Sequence, residues 1–336
     1  MNFKKVEAYL SAEVEGFQGP IEAAKTPSGQ SNPTYILTTP GGKYVLRSKP
    51  AGKLLKSAHA VDREFRVLKA LHREGLPVPK PFVLCDDRAV SDTMFYLMDF
   101  SKGENYGDPR LEGLSPEARR AVYDQMNIGL TRVHKVDLAK AGLEDYGPPG
   151  NYFARQLSRW SKQYEASATE VIAPMDALIA WLGDNLPEDD GTVTLVHGDW
   201  RIDNLLFSKE TNALTAILDW ELSTLGHPLA DLGAQLMQWQ MPVGSEGRGL
   251  AGVDREALGI PSDEAYVADY AARMGIPVPD MRFYVAFSFF RMAAILQGVK
   301  SRALKGNASN PKKALALGAY VGPFAKAGLG LATGEL

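Results

Sequence analysis

The sequence predicts an α+β fold in which a small antiparallel-sheet lobe precedes a large, mainly helical lobe. Two observations support this class: β-rich runs and turn signals dominate the first hundred residues, and amphipathic helical patterns dominate the rest. The chain has 336 residues, which exceeds the roughly 150 residues of an average domain. We therefore predict an N-terminal lobe over 1–100, a hinge at about 98–104 and a C-terminal lobe over 105–336.

The elements of the first lobe follow from turn chemistry and helical periodicity. Residues 34–47 carry two β-rich runs around Pro40-Gly41-Gly42, which predicts a hairpin. A helix over 59–71 is predicted by apolar residues that share one face, namely Val61, Phe65, Leu68 and Leu71. Glu64 falls on that same face, where a carboxylate is costly unless a cation meets it. The pattern predicts a basic partner for Glu64, and the alternative is a rim position that reaches solvent.

The second lobe begins after the β-rich run that ends at Phe100. Ser115-Pro116-Glu117 has the N-cap and first-position proline that open a long helix. Further helices are predicted over the amphipathic stretch that contains Met175 and Leu182 and over the apolar stretch 283–297. The tail after Ala314 is rich in Ala and Gly and is the low-complexity stretch of the chain.

Composition and charge limit the classes of function. Hydrophobic residues make up 45% and charged residues 23% of the chain, as in globular proteins. The balance of 37 Lys+Arg against 40 Asp+Glu gives a net charge of −3, which is too weak to favour nucleic acid as a partner. Cys85 is the only cysteine, which excludes an intramolecular disulfide and a cysteine-based zinc cluster.

The sequence also bears on location. The first residues lack the continuous apolar core of a signal peptide. The longest apolar stretch, 283–297, is interrupted by Arg291 and is shorter than the roughly 20 residues that span a bilayer. We expect a cytoplasmic protein with no membrane partner, and the sequence leaves its oligomeric state open.

A local surplus of basic residues stands out in the first lobe. Residues 43–73 contain nine basic side chains against Asp62 and Glu64. A solvated basic face and a phosphate-attracting wall explain this surplus equally well. The nine are Lys43, Arg47, Lys49, Lys53, Lys56, Arg63, Arg66, Lys69 and Arg73.

Residues 195–221 carry the pattern most typical of chemistry. Two apolar runs flank a polar turn, and a hairpin over 205–218 would return Asp219 to the loop that holds Asp199 and Asn204. Carboxylate and amide oxygens suit Mg²⁺, which commonly takes one or two carboxylates and completes its shell with phosphate and water. The segment therefore predicts metal–phosphate chemistry.

The spacing H-x-D-x-x-x-x-N followed by a strand-borne Asp is the catalytic-loop pattern of protein kinases. Here the loop reads HGD, Asp-Trp-Glu replaces Asp-Phe-Gly, and no activation-loop Ala-Pro-Glu follows. In these features the chain resembles the aminoglycoside phosphotransferase family, which implies a bilobal protein-kinase-like fold. The stretches GQSNPTY, YVLRSKP, SAHAVDREFRVLKAL and LDWELSTLGHPLADL are similar to the subgroup of kinase-like domains fused to acyl-CoA dehydrogenases.

The resemblance implies roles for residues of the second lobe. Asp199 matches the catalytic base, against the alternative of a turn-capping Asp, and Asn204 and Asp219 match the magnesium ligands. We assign Arg201 to stabilisation of transition-state charge, against the alternative of a salt bridge away from phosphate. His197 and Asp231 are assigned to support of the loop, and the role of Glu221 stays open between the metal shell and a turn cap.

In the first lobe, Arg47 stands where kinases place the strand Lys that pairs with the helix Glu, here Glu64. Arg retains the charge and can reach both a phosphate and Glu64. The loop 27–33 has one glycine, and we interpret its backbone N–H groups as a phosphate cover. The implied nucleotide contacts are Ser28, Gly29, Gln30 and Ser31 in that loop, and Met98, Asp99 and Phe100 at the end of the strand before the hinge.

These features predict an ATP- and Mg²⁺-dependent phosphotransferase that acts on a hydroxyl of a small molecule. The subgroup resemblance favours a hydroxy acid or hydroxyacyl-CoA as the acceptor. An aminoglycoside, choline or homoserine kinase is the first alternative, and a non-catalytic nucleotide-binding pseudokinase scaffold is the second. A protein kinase is disfavoured by the missing Ala-Pro-Glu signature, and the preference for ATP over GTP stays open.

Overall fold

The computed structural model describes residues 1–26, 32–50, 59–148, 150–244, 248–308 and 310–334. The strands in these residues are β1 Glu22–Lys25, β2 Thr34–Thr39, β3 Gly42–Ser48, β4 Pro81–Cys85, β5 Phe95–Asp99, β6 Thr194–Val196, β7 Leu205–Phe207, β8 Leu214–Ile217 and β9 Thr224–Gly226. The helices are α1 Phe3–Glu13, α2 Val61–Arg73, α3 Pro116–His134, α4 Leu138–Ala141, α5 Tyr152–Ser167, α6 Ala173–Asp184, α7 Leu229–Trp239, α8 Arg255–Leu258, α9 Asp263–Met274, α10 Arg282–Leu304, α11 Pro311–Gly318 and α12 Val321–Thr333.

Five strands form one antiparallel sheet in the order β1-β2-β3-β5-β4. The predicted hairpin is confirmed, since β2 and β3 pair with Thr39 opposite Gly42. β3 lies at the centre of the sheet, so residues on it have paired neighbours on both sides. The remaining described residues are mainly helical, which confirms the predicted α+β class.

Helix α1 covers the apolar side of this sheet, and the sequence patterns did not predict it. The Asn2 side chain caps the helix by accepting hydrogen bonds from the backbone N–H groups of Lys4 and Lys5. Val6 and Leu10, one turn apart, are fully buried in a cluster with strand residues that include Cys85. Cys85 is itself 2% exposed.

Helix α2 confirms the predicted helix over 59–71 and its buried face. Val61 and Leu71 are fully buried, and Glu64 lies among them with 2% of its surface exposed. The solvent-reaching alternative for Glu64 is therefore wrong. A carboxylate at this depth is costly without a hydrogen-bonded or charged partner.

The helical part packs around α10. Phe290, Ala293 and Ala294 of α10 are fully buried, which confirms the predicted buried helix over 283–297. Helix α12 packs on α10 and α6 through small residues. A Cβ atom added at Gly328 would lie 2.9 Å from the Leu178 Cδ2 and the Phe289 Cβ atoms, so this helix contact requires glycine.

The C-terminal segment Pro311–Thr333 is long and apolar enough, by length and composition, to cross a membrane. The sequence reasoning did not single it out, because Ala and Gly rather than large apolar residues give it this character. In the structure the segment forms α11 and α12, and both helices pack on α10.

Packing divides the chain into two compact units. The first comprises Met1–Tyr106, Asp124–Asp145 and Ile202–Ser223, and so contains the five-stranded sheet, α2 and the β7–β8 hairpin. The second comprises Gly107–Tyr123, Tyr146–Arg201 and Thr224–Leu336, and so contains β6, β9 and α5 to α12. The lobe boundary at 98–104 stays a prediction.

Candidate functional site

The β7–β8 hairpin brings two candidate metal ligands to neighbouring positions in the first unit. Strand β7 begins directly after Asn204, and β8 ends two residues before Asp219. The backbone N–H of Leu218 donates to the Asn204 carbonyl oxygen at 2.8 Å, which continues the ladder past the paired residues. The predicted hairpin over 205–218 is confirmed, and Asn204 lies beside the residue that precedes Asp219.

Asp219 has an unusual backbone conformation. Its φ of 62° and ψ of 66° lie in the left-handed region, which costs a non-glycine residue about 1–3 kcal/mol. The following residue, Trp220, is 1% exposed and donates its indole N–H to the Ile217 carbonyl oxygen at 3.1 Å. The buried indole therefore fixes the turn that holds the Asp219 carboxylate.

Arg47 of β3 is the centre of an ion-pair cluster. One guanidinium nitrogen, Nη1, lies 3.2 Å from Oε1 of Glu64 on α2. The other, Nη2, lies 2.8 Å from Oδ1 of Asp219 and 2.9 Å from Oε2 of Glu221. Arg47 is therefore the predicted cation partner of Glu64, and it also binds one candidate metal ligand.

The electrostatics of this cluster are unbalanced, because three carboxylates share one guanidinium. Burial raises the pKa of Glu64 to about 7; Arg47 opposes this shift, whereas Asp219 and Glu221 add to it. Burial works against the charge on Arg47, yet Glu64 and the other acids hold the pKa of Arg47 well above its usual value. The guanidinium stays charged, and the excess in the cluster is negative.

That excess fits a bound divalent cation. Mg²⁺ in phosphate sites takes few protein ligands, commonly one or two carboxylates, and completes its octahedron with water and phosphate oxygens. Asp219 offers such a carboxylate, about one third exposed, and Asn204 offers an amide. Among the described residues, no three His, Cys, Asp or Glu side chains group as a metal cage, so a metal here needs phosphate to complete its shell.

Two further residues join the cluster through Glu221. The Asn32 side-chain amide donates to Glu221 Oε2 at 3.2 Å, and Asn32 Oδ1 lies 3.0 Å from His59 Nδ1. Asn32 is 1% exposed and lies within the loop 27–33 that was predicted as the phosphate cover. The predicted contacts Ser28, Gly29, Gln30 and Ser31 lie outside the described residues. Glu221, whose role the sequence left open, accepts hydrogen bonds from Arg47 and Asn32.

The predicted adenine-binding segment ends strand β5. Met98 is buried and pairs in register with Val45, and the Asp99 N–H donates to the Lys80 carbonyl oxygen at 2.8 Å. The Lys43 ammonium lies 5.6 Å from the centre of the Phe100 ring. The structure thus fixes the backbone of this segment, and its nucleotide role stays a prediction.

In the second unit, a buried carboxylate holds the loop after β6. Asp231, in the first turn of α7 and 1% exposed, accepts hydrogen bonds from the N–H groups of His197 at 2.7 Å and Gly198 at 2.8 Å. The Asp199 N–H lies 3.3 Å from His197 Nδ1. His197 is fully buried, so these contacts match the supporting roles predicted for Asp231 and His197.

The loop presents Asp199 and Arg201 together. Arg201 Nε lies 3.4 Å from Asp199 Oδ1, and each side chain is about one third exposed. Gly198 has a φ of 83°, which glycine adopts without strain. This conformation suits the glycine of the HGD sequence.

The predicted site residues form two groups, one in each unit. Arg47, Glu64 and Asp219 form one cluster, and Asp199 contacts Arg201. The predicted site included Asn32 only as a member of the loop 27–33 and did not single out His59. Nothing in the local pattern shows that the Asn32 amide binds Glu221, 189 positions away. The sequence showed Arg291 only as an interruption of an apolar run.

Comparisons with known proteins show the family to which the chain belongs. A model of the phosphotransferase enzyme family matches residues 22–284. Acyl-CoA dehydrogenase family member 10 of Mus musculus is 48% identical over 294 residues, which cover 87% of this chain and 27% of that protein. The chain therefore corresponds to less than a third of that relative's length.

Solved structures share the fold. A crystal structure from Ralstonia eutropha, provisionally assigned as an aminoglycoside phosphotransferase, is 45% identical with a TM-score of 0.90, and the match covers 98% of both chains. Spectinomycin phosphotransferase in complex with ADP and spectinomycin has a TM-score of 0.64 at 12% identity, over 98% of this chain and 99% of that one. The second match shows the fold alone, which is kinase-like.

Proposed function

Because the chain belongs to the phosphotransferase enzyme family, we propose that it transfers the γ-phosphate of ATP to a hydroxyl of a small molecule. A hydroxy acid or a hydroxyacyl-CoA is the acceptor class that we favour. The name of the mouse relative supports this choice, since it places a similar sequence in a protein named for acyl-CoA chemistry. A solved structure of the same fold that holds ADP supports an adenine nucleotide.

The observation that carries the proposal is the cluster around Arg47. A buried guanidinium shared by Glu64, Asp219 and Glu221 leaves an excess of negative charge, which a purely structural ion pair would not need. A divalent cation with nucleotide phosphates would supply both the missing positive charge and the ligands that the protein lacks. A scaffold that never bound a metal nucleotide would gain nothing from this arrangement.

In the proposed reaction the acceptor oxygen bonds to the γ-phosphorus while the bond to the leaving ADP oxygen breaks. Asp199 orients the acceptor hydroxyl and takes its proton. Arg201, which contacts Asp199, stabilises charge on the transferred group. Arg47 holds the nucleotide phosphates, and Met98, Asp99 and Phe100 contact the adenine through their backbone.

Asn204 and Asp219 are the residues proposed to hold Mg²⁺. When bound, the ion would neutralise charge on the phosphate oxygens and fix their orientation. The proposed partners are thus ATP and the small-molecule acceptor. The cytoplasmic location and the absence of nucleic-acid and membrane partners remain part of the proposal.

The test is acceptor-dependent ADP release with Mg·ATP. The panel contains hydroxy acids, their coenzyme A thioesters, choline, homoserine and aminoglycosides. We expect turnover with an acid or its thioester, and a loss of about 10²- to 10⁴-fold in kcat for Asp199→Asn, since the proton acceptor is removed. Asp184→Asn, an exposed change on α6, is the matched control.

Two results would contradict the proposal. Equal turnover of Asp199→Asn and the wild type would remove Asp199 from the chemistry. Binding of ADP by calorimetry without turnover on any acceptor would favour the pseudokinase scaffold.

A further inference from the structure

Arg291 is a charged residue inside the apolar stretch 283–297 of α10, in the second unit. It follows Phe289 and Phe290 on α10 and precedes Ala293, and these three residues are buried. Arg291 itself is half-buried. Neither helix propensity nor core packing favours a guanidinium at this position. We therefore infer the role of Arg291 from its contacts.

Arg291 lies close to the loop that holds Asp199. Nη2 of Arg291 lies 3.5 Å from the carbonyl oxygen of Gly198, the residue before Asp199. The guanidinium carbon lies 6.0 Å from the centre of the Trp160 ring. Both neighbours belong to the same unit as Arg291. The guanidinium therefore lies beside the residue that directly precedes Asp199, the proposed catalytic base.

Neither contact neutralises the charge. A separation of 3.5 Å is longer than the 2.7–3.2 Å of ordinary N–H···O hydrogen bonds, and an aromatic ring compensates a cation only in part. Within the described part of the chain, Arg291 forms no ion pair with a carboxylate. A half-buried guanidinium without a counter-ion is costly, and a ligand anion would remove that cost.

A second arginine, Arg159 of α5, lies by the same indole ring as Arg291. The Arg159 guanidinium lies 5.5 Å from the centre of the Trp160 ring, whereas Arg155, one helical turn earlier, donates to the Pro148 carbonyl oxygen at 3.0 Å. Burial raises the pKa of the Tyr152 phenol, and Arg291, Arg155 and Arg159 all oppose that rise while Asp231 adds to it. The Asp231 carboxylate is already engaged, since it accepts two backbone N–H groups.

We propose that Arg291, together with Arg159, binds an anionic group of the acceptor, so that the acceptor of this enzyme is an acid. The proposal rests on the proposed phosphotransfer, because it assigns the group that accompanies the reacting hydroxyl at Asp199. A polycationic aminoglycoside would be repelled by these two arginines, whereas carboxylate and phosphate oxygens match the guanidinium geometry. The anion is either the carboxylate of a free hydroxy acid or a phosphate of a coenzyme A thioester.

The test compares charged and neutral forms of one acceptor. The probes are a series of hydroxy acids, their coenzyme A thioesters, their uncharged N-acetylcysteamine thioesters and the corresponding diols. For Arg291→Met we expect kcat/KM to fall about 10- to 100-fold for the anionic probe through KM, as for loss of a charge-assisted hydrogen bond. We expect less than about 3-fold change for the neutral probe and for the KM of ATP.

Further variants sharpen the result. Arg291→Lys retains the charge and should recover part of the loss, whereas Arg302→Met, an exposed change on the same helix, should leave every parameter unchanged. A larger loss for the free acid than for the thioester identifies the carboxylate as the anion. The reverse order identifies the coenzyme A phosphates.

Other outcomes overturn the proposal. An equal loss for anionic and neutral probes would mean that Arg291 only supports the loop, and faster turnover of aminoglycosides than of acids by the wild type would exclude an acid site. Calorimetric binding separates this proposal from the proposed function. Binding of the anionic probe that is lost in Arg291→Met supports the site even without turnover, and absence of binding to the wild type overturns it.

Discussion

At the scale of single residues, Arg47 explains why several side chains far apart in sequence are placed as they are. Glu64 of α2, Asp219 after β8 and Glu221 in the following turn all reach one guanidinium. Breaking one partner of a buried ion pair leaves an uncompensated charge, which costs about 3–5 kcal/mol. Arg in place of the kinase Lys suits this cluster, because its planar fork can serve several carboxylates at once.

Glu64 gives the protein a pH-dependent stability. Its pKa is raised from 4.5 to about 7 in the folded chain, chiefly by burial. The folded state therefore binds more protons than the unfolded state between these values, and the free energy of unfolding falls as pH rises through this window. The shift corresponds to about 3 kcal/mol at pH 8. We expect Glu64→Gln to flatten this dependence.

The measurement is urea unfolding at pH 5 and pH 8, without nucleotide or divalent metal. The wild type should lose stability between the two values, and Glu64→Gln should lose much less. Glu144→Gln, an exposed change, serves as the control. Parallel pH profiles for the wild type and Glu64→Gln would show that Glu64 does not carry this proton.

At the scale of elements, small residues decide how α12 joins the helical core. Ala325 is fully buried, and Gly328 lies where a Cβ atom would be 2.9 Å from Phe289 Cβ. Replacing a helical glycine by alanine normally stabilises a helix by about 0.5–1 kcal/mol. At Gly328 we expect the opposite sign, a loss of about 1–3 kcal/mol by overpacking.

Gly322 of the same helix is the matched control, because its added Cβ would meet only Ile172 Cγ2 at 4.0 Å. Thermal unfolding should show a lower Tm for Gly328→Ala and an unchanged or higher Tm for Gly322→Ala. A higher Tm for both variants would mean that α12 is free to move away from α10.

The elements show which parts of the fold the sequence could predict. The β2–β3 hairpin and α2 have strong local signals, namely a Pro-Gly-Gly turn and one apolar face, and both are confirmed. Helix α1 was missed because Lys and Glu interrupt its apolar positions. Its stability comes from Val6 and Leu10 packing on the sheet, which no local pattern contains.

At the scale of the whole molecule, two of the basic residues that the structure describes within 43–73 bind acids from elsewhere in the first unit. Arg47 binds Asp219 and Glu221, and Arg66 binds Asp145. These ion pairs lower the free positive charge of the stretch, and Arg47 itself is buried. The sequence could not decide between the two interpretations, because these acids lie more than 70 positions away along the chain.

We therefore expect no appreciable affinity for nucleic acid. A net charge of −3 with paired arginines offers few counterions for release. Fluorescence anisotropy with a labelled DNA duplex at 150 mM salt should show no binding below about 100 µM. A micromolar Kd that weakens steeply with added salt would contradict this expectation.

The site shows the same limit on sequence reasoning. The order and spacing of Asp199, Asn204 and Asp219 could be recognised from the sequence, because all three residues lie in one short segment, 195–221. Arg291 could not be assigned, because its relation to Gly198 arises from the packing of α10 and spans 93 positions.

The buried thiol of Cys85 is a built-in probe of local unfolding in the five-stranded sheet. Cys85 ends an edge strand and is covered by the cluster that α1 completes. A thiol-reactive dye can reach its sulfur only when this region separates, so the rate of labelling follows local unfolding of the sheet under native conditions. Because the chain has no second cysteine, that signal arises from one site without any engineered label.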